Sequence, residues 1–351
     1  MSKQINKEEG LSYTRKVWIA GLIFALITVI LLIFEATFNI VMLVLAGALI
    51  ACYFRGISAF LKRRYHLNGK LSMAISVFGS FLIFGGMMYL VGATIWSQTV
   101  SLKESLPELT ESLKNFLEES DVGKDVLAWA NEIKSSKEFS NFISTFFLTT
   151  FGSIANIYII ILTGIFLTIA PRLYVNGITE LVPPPHRQRA KEVLNNLGTS
   201  LTKWLAGKFI AMLAVFILTA IGLLIFDVKH WLTLSILAGL LNFIPNFGPL
   251  ISAIPALLVG LSQDLNLAII IGVMYLAIQL FESSFITPKA QYHLIRIPPA
   301  LIILAQIFVG ALTGLLGVIF ATPLMLIIII LVQELYITPM NKKYEVSRNQ
   351  N

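Results

Sequence analysis

Three polar residues share one face of a long apolar run near the C-terminus. Tyr275, Gln279 and Glu282 follow one another at steps of four and three residues within 265–286, so a helix brings their side chains to one side. An acid at bilayer depth costs about 2.5–3.5 kcal/mol on insertion scales, and such residues commonly line ion or substrate pathways. Two interpretations stay open: Glu282 carries a cation or a proton, or it is a neutral or hydrogen-bonded acid that ties this helix to a broken segment.

The apolar segments on either side of this run are both interrupted by glycine and proline, which oppose a straight helix. Residues 231–261 are broken at NFIPNFGP (242–249), and residues 298–336 are broken at GALTGLLG (310–317). Irregular backbone at membrane depth is tolerated only inside protein or along a cavity, and paired broken segments point to a transporter site. The predicted path residues are Glu282, Gln279, Tyr275, Asn242, Pro245, Asn246, Gly248, Pro249, Gln306, Gly314 and Gly317.

The broken segments leave two geometries open, re-entrant hairpins that enter from opposite membrane faces or kinked full spans. The segments are loosely alike, since Gly248 precedes Pro255 and Gly317 precedes Pro323 at spacings that differ by one. Asn242 and Asn246 either cap the broken helix ends or contact substrate.

The composition is that of a polytopic membrane protein. Of 351 residues, 56% are hydrophobic and only 13% are charged, whereas soluble domains carry about 25% charged residues. The mean hydropathy is +0.81. We therefore expect an all-α membrane protein with about eight membrane segments, two of them broken hairpins, and an external helical insertion. The apolar runs are 17–34, 38–54, 71–96, 148–171, 204–226, 231–261, 265–286 and 298–336.

Charge sorts the connections between the two sides of the membrane. The 55–70 loop has five basic residues and no acid, whereas 97–147 has five lysines against nine acids. By the positive-inside rule, 97–147 lies outside and both termini lie in the cytoplasm of an inner-membrane, multi-pass protein. The predicted regions are transmembrane helices 1–3 in 1–96, an external amphipathic insertion in 97–147, a second transmembrane region in 148–336 and a cytoplasmic tail in 337–351.

Two polar connections allow more than one interpretation. In 97–147, a stripe of leucines with heptad-like spacing predicts helices that pack on each other or face a neighbouring protomer. In 172–203, three prolines at 183–185 stop a helix, and a basic amphipathic stretch follows. That stretch either touches anionic lipid heads or is a solvated connector. Two charges farther on are assigned to the interface: Lys208 is expected to reach it by snorkelling, and Glu334 is expected to lie there.

Several function classes are excluded. Cys52 is the single cysteine, and the four histidines are not at metal-ligand spacing, which argues against a disulfide framework and a metal site. No Walker motif or catalytic triad is found, so we expect no cofactor and no enzymatic activity. No basic stripe is interleaved with aromatic residues, so we expect no nucleic-acid partner. The expected partners are a small-molecule or ion substrate, the lipid bilayer and further copies of the chain in a homo-oligomer.

The pattern resembles a known family, the autoinducer-2 exporters of bacteria. The resemblance covers nearly the whole chain and is strongest in NFIPNFGPLISAIPALLVGL (242–261), in Gln279 and Glu282 with Pro288, and in ALTGLLGVIFATPL (311–324). WLAGK (204–208) resembles a family stretch that usually ends in glutamine, where this chain has Lys208. Ser284 stands where the family usually has asparagine, and Ile297-Pro298-Pro299 where it often has Leu-His-Pro.

The resemblance implies an oligomeric inner-membrane transporter with about eight membrane segments. Activities in that family include autoinducer-2 export and sodium(lithium)/proton antiport. Three functions are therefore weighed: a secondary transporter that exports a small polar metabolite or signal molecule, a sodium(lithium)/proton antiporter that uses Glu282, and a non-transporting membrane scaffold that acts through 97–147.

Overall fold

A computed structural model describes residues 13–90, 92, 154–261, 263–290 and 298–341. All regular secondary structure in these residues is helical, and five helices are long and apolar enough to cross a membrane, or six if one bent pair is counted as a span. The expected all-α polytopic architecture is thereby confirmed. The predicted external insertion 97–147 and most of the tail 337–351 lie outside the described residues.

The first helix of the described residues is the long α1 (Tyr13–Tyr65), and α2 (Gly69–Leu90) follows it. The apolar runs 17–34 and 38–54 were predicted as separate segments, yet both lie on α1. The physical reason is that the three residues between them, Glu-Ala-Thr, include no glycine or proline that would end a helix. Within α1, the part that satisfies the length and hydropathy of a membrane span is Thr37–Tyr65.

Buried hydroxyl groups join α1 to α2. Ser76 donates to the carbonyl oxygen of Phe54 at 2.8 Å, and the hydroxyls of Ser58 and Ser72 lie 2.6 Å apart. Small polar side chains let apolar helices approach closely and hydrogen-bond across the interface. This pair of helices is therefore held by more than apolar packing.

A sharp bend follows α3 (Ile154–Ile169), which packs on α1. The next helix, α4 (Pro171–Glu180), is turned by 88° relative to α3. Ala170 has φ −128° and ψ 54°, because the residue before a proline is disfavoured in the helical conformation. α4 therefore runs across the direction of α3 rather than continuing it.

The central element is α5 (Arg187–Ile225), a helix of 39 residues. It begins after the three prolines, as predicted, but then runs without a break through both the supposed cytoplasmic connector and the span 204–226. At 1.5 Å per residue it is about 58 Å long, well beyond the ~30 Å of a hydrocarbon core. Two buried apolar clusters use α5: one includes Leu201 and Leu205, and the other includes Val215 and Leu223.

The first broken segment consists of α6 (Trp231–Leu241) and α7 (Phe247–Leu261). α8 (Leu265–Phe281) follows, then a π-helical turn at Glu282–Ile286, called here the first π-turn, and α9 (Thr287–Ala290). The helix is interrupted at 242–246, inside the predicted break 242–249.

The second broken segment consists of α10 (Pro299–Thr313) and α11 (Leu315–Val332), followed by the second π-turn, Gln333–Ile337. Here the predicted break at 310–317 was too wide, because only Gly314 leaves the helical conformation. Its φ of +63° suits a residue without Cβ. Gly310 and Gly317 are helical and serve close packing between the two arms, since a Cβ at Gly310 would lie 2.7 Å from a methyl carbon of Val318.

The structure contains a repeat whose register differs from the one expected. Residues 247–290, the first hairpin unit, and residues 299–341, the second hairpin unit, each have a 15-residue helix, a tight turn and a longer helix with a π-turn. The π-turns begin 51 residues apart (282 to 333), at ESSFITP and QELYITP. In both units one threonine separates the end of the π-turn from a proline, Pro288 or Pro339. In a regular helix the proline ring would clash with the carbonyl group four residues earlier. A π-turn accommodates that clash locally.

Candidate functional site

The two broken segments meet through a hydrogen-bonded cluster of three residues. The Nδ2 atom of Asn246 donates to Oε1 of Gln306 at 3.1 Å, and Nε2 of Gln306 donates to the carbonyl oxygen of Pro245 at 3.0 Å. Gln306 is only 1% exposed, so these bonds satisfy an amide that would otherwise be costly to bury. The cluster joins a break in one segment to the helical arm of the other.

The backbone of this junction depends on residues that the sequence singled out. Asn246 has φ +67°, a left-handed conformation that asparagine tolerates better than most residues. Gly248 lies against the end of α6, where a Cβ would collide with the carbonyl group of Leu241. Pro249 lies in the first turn of α7, and its carbonyl oxygen accepts a hydrogen bond from Ser252 at 3.0 Å. On the second segment, a Cβ at Gly317 would lie 2.5 Å from the carbonyl carbon of Val309.

Two buried donors beside the junction have no hydrogen-bond partner among the described residues. They are Nδ2 of Asn242 and Nε1 of Trp204, whose side chains are each 2% exposed. The ring of Phe243 stands edge-on to Trp204 at 6.1 Å and to Phe320 at 6.5 Å, so α5, the first break and α11 converge here. A buried donor without a partner is costly, and an acceptor-bearing solute or water would remove that cost.

Lys208 lies one turn after Trp204 on the same face of α5. The expectation that it snorkels was wrong, because the side chain is only 5% exposed. The described residues provide no hydrogen bond or ion pair for it, and it interacts electrostatically with Glu282. A Cβ at Gly239 of α6 would lie 3.0 Å from the carbonyl oxygen of Met212, and α6 runs back along α5. Three residues after Gly239, Asn242 therefore comes level with the turn that carries Lys208.

Glu282 begins the first π-turn and is 5% exposed. Its Oε1 accepts a hydrogen bond from the hydroxyl of Thr287 at 2.5 Å. An isolated buried charge is very unfavourable, and a partner of opposite charge offsets part of that cost. Among the described residues, no group of three or more acid, histidine or cysteine side chains could hold a metal ion.

The other two residues of the predicted polar stripe lie in different surroundings. Tyr275 is 9% exposed and packs in the apolar cluster with Val215 and Ala256, and its hydroxyl has no hydrogen-bond partner among the described residues. Gln279 is partly exposed. The structure thus brings Pro245, Asn246 and Gln306 into one cluster, with Asn242 beside it. Of the predicted polar stripe, only Glu282 is linked to this region, by its electrostatic interaction with Lys208.

Sequence reasoning missed three residues of this site, Trp204, Lys208 and Thr287. Thr287 is the hydrogen-bond donor to Glu282, and its only sequence signal is the Ile-Thr-Pro that recurs 51 residues later at 337–339. The electrostatic interaction of Lys208 with Glu282 was also missed, although a lysine inside the apolar run 204–226 can be read from the sequence. What could not be read is that α5 and the first π-turn are neighbours.

Comparison with known proteins settles the family. The family model described as "AI-2E family transporter" matches residues 22–337, which include every helix of the site. The chain belongs to the AI-2E transporter family.

Relatives of this AI-2E family transporter carry names of the same kind. A putative transport protein of Borreliella burgdorferi is 23% identical over 95% of this chain and 92% of its own length. The putative transport protein YueF of Bacillus subtilis is 23% identical over 73% of this chain and 75% of its own length. YrrI of the same species, also named a putative transport protein, is 28% identical, but the match spans only 40% of that protein. The names support a transport role and none gives a substrate.

Proposed function

We propose that this AI-2E family transporter is a secondary transporter that exports a small polar metabolite or signal molecule. The observation that carries the proposal is the junction of the two broken segments, where Gln306 holds Asn246 and Pro245. Broken backbone inside an apolar fold is characteristic of substrate and ion sites in transporters. The interruption of the first segment leaves polar backbone groups at the point where it meets the helical arm that carries Gln306.

The chemistry around the junction supports a polar substrate. Asn242, Trp204 and Lys208 offer buried hydrogen-bond donors, and Glu282 offers an acceptor. A solute that carries hydroxyl, carbonyl or carboxylate oxygens would satisfy the donors that the described residues leave without partners. An apolar solute would leave them unsatisfied, so we expect it to be rejected.

Sodium(lithium)/proton antiport is the second candidate, and the burial of Glu282 favours it. A carboxylate inside an apolar fold can exchange a proton for a cation. Against this candidate stands Lys208, because a buried lysine that interacts electrostatically with Glu282 would repel a cation bound by that acid. We therefore rank antiport below export of a polar solute.

A membrane scaffold without transport is the weakest candidate. Buried polar groups are costly, and a scaffold has no need of Gln306, Lys208 and Glu282 in its interior. We further propose that the protein lies in the inner membrane as a homo-oligomer with both termini in the cytoplasm. Labelling from outside, in a Cys52→Ser background, should then modify a cysteine at Ser120 but not one at Lys62, and the opposite pattern would refute this orientation.

The function is tested by flux in proteoliposomes. Purified protein is reconstituted with candidate polar metabolites, sodium or lithium inside, with and without a pH gradient. Release of a polar solute by wild type, and its loss in Gln306→Leu, supports the proposal. Cation-driven proton movement without solute release would establish antiport instead. Absence of both solute release and proton movement under every gradient would favour the non-transporting scaffold.

A further inference from the structure

A second polar site lies away from the broken segments, between α1, α4 and α5. It is an open cavity of about 500 Å³ whose lining includes Arg55, Arg172 and Lys191 together with Asn176 and Asn195. Three different elements each supply one cation. Among the described residues that line the cavity there is no carboxylate, and both amides can donate hydrogen bonds.

The three cations have no acidic partner among the described residues. The acid next to Lys191 in sequence, Glu192, is directed to Arg189 at 3.6 Å and also accepts a hydrogen bond from Gln188 at 3.1 Å. Like charges gathered around one cavity repel each other, and an anion placed among them would relieve that repulsion. A site of several cations with amide donors is suited to the oxygens of a phosphate group, which arginine binds with two parallel hydrogen bonds.

The position of the cavity points to a phosphate at the membrane surface. Arg55 directly follows the apolar run 38–54, and Arg172 directly follows the run 148–171. Next to Arg172, where the apolar run ends, α4 is turned by 88° relative to α3 and therefore leaves the direction of that helix. Leu173 and Ile178 on α4 are 69% and 50% exposed, as expected for side chains that enter the acyl region beside a headgroup.

We propose that this cavity binds the phosphate of an anionic phospholipid headgroup on the cytoplasmic side of the membrane. Arg55, Arg172 and Lys191 hold the phosphate oxygens, and Asn176 and Asn195 donate to the remaining oxygens of the headgroup. Exposed apolar side chains of α4 contact the acyl chains. This site is separate from the junction of the broken segments, so it stands or falls independently of the transported solute.

The test is native mass spectrometry of the full-length protein in detergent with added phosphatidylglycerol or phosphatidylcholine. The variant Arg55→Gln/Arg172→Gln/Lys191→Gln removes the three cavity cations. The matched control Lys62→Gln/Arg63→Gln/Arg64→Gln removes three exposed cations at the end of α1 instead. All six side chains are exposed, so neither variant leaves a buried hole, and unchanged elution and thermal unfolding verify that both fold.

Wild type and the control variant should retain phosphatidylglycerol in preference to phosphatidylcholine. The cavity variant should lose about a hundredfold in that preference, and Arg172→Gln alone about fivefold. Equal retention by the cavity variant and the control would overturn the site. Displacement of phosphatidylglycerol by millimolar inorganic phosphate would overturn the lipid as the source of the phosphate and assign the cavity to a soluble phosphate compound.

Discussion

In the first hairpin unit, the long helix and its π-turn carry Tyr275 and Glu282, both buried. At the positions 51 residues later, the second hairpin unit has Leu326, which is 1% exposed, and Gln333. The two backbones follow one plan of short helix, tight turn, long helix and π-turn. At these positions the first unit has a buried tyrosine and a buried acid, whereas the second has a buried leucine in the other apolar cluster and an exposed glutamine.

The second unit also has an acid in its π-turn, but one position later. Glu334 accepts a hydrogen bond from Asn196 at 2.8 Å and pairs with Arg189 at 2.5 Å, near the start of α5. The interfacial position predicted for Glu334 fits its partial exposure, while the sequence did not show this pairing. The two acids meet different parts of α5: Glu282 interacts electrostatically with the buried Lys208, whereas Glu334 lies beside the exposed start of the helix.

The largest expected effect comes from glycines that both units require for close packing. Gly248→Val and Gly317→Val would each force a side chain into backbone, which costs about 3 kcal/mol or more, so flux in proteoliposomes should fall about a hundredfold. Gly79→Val is the control, because nothing lies within 4 Å of a Cβ there. Normal flux in both variants would show that the breaks are only tight turns.

The second largest effect is on the free energy of unfolding, and it tests whether the buried Glu282 depends on Lys208. Lys208→Met or Glu282→Gln alone should destabilise the protein by about 3 kcal/mol, because each leaves the other group buried without its counter-charge. The double variant should recover about 1–3 kcal/mol of that loss, measured by thermal unfolding in detergent. Lys203→Gln, an exposed position on α5, is the control. Additive losses would mean that the two charges are independent.

Transport against pH tests whether the buried acid couples to protons or cations. Glu282→Gln should reduce flux about tenfold and remove its pH dependence, because the amide can still accept the hydrogen bond from Thr287 but cannot exchange a proton. Glu334→Gln should keep the wild-type profile, although it also replaces an acid in a π-turn. If the amide at 282 preserves the profile, Glu282 is a structural tie between α8 and its neighbours.

The smallest effect belongs to the pair on the second π-turn. The side chains of Arg189 and Glu334 are 41% and 23% exposed, and solvent weakens such pairs. Arg189→Gln should therefore cost only about 0.5–1 kcal/mol in thermal unfolding. If Arg189→Gln lowered stability as much as Lys208→Met, solvent exposure would not be what distinguishes Arg189 and Glu334 from the buried Lys208 and Glu282.

Part of this site could be predicted before the fold was known. The cluster of glycine, proline and asparagine at 242–249 predicted the first break because several residues that disfavour a regular helix stand together there. The second break was predicted too wide, since glycines that serve close packing look the same in sequence as glycines in a turn. In the structure, Gly310 and Gly317 are helical and lie against other atoms, whereas Gly314 has a positive φ and open space around it.

Hydrophobic content and helix-breaking residues are properties of the chain itself, so the sequence by itself determined a polytopic helical membrane protein and the place where its first segment breaks. Tertiary structure alone decided which distant residues meet. Gln306 bonds to a break 60 residues earlier, and Lys208 and Glu282 interact although they are far apart in sequence. These pairings depend on how α5, α6, α10 and the first π-turn pack together. Periodicity along one helix shows which face is polar, but it contains no information about what that face will contact.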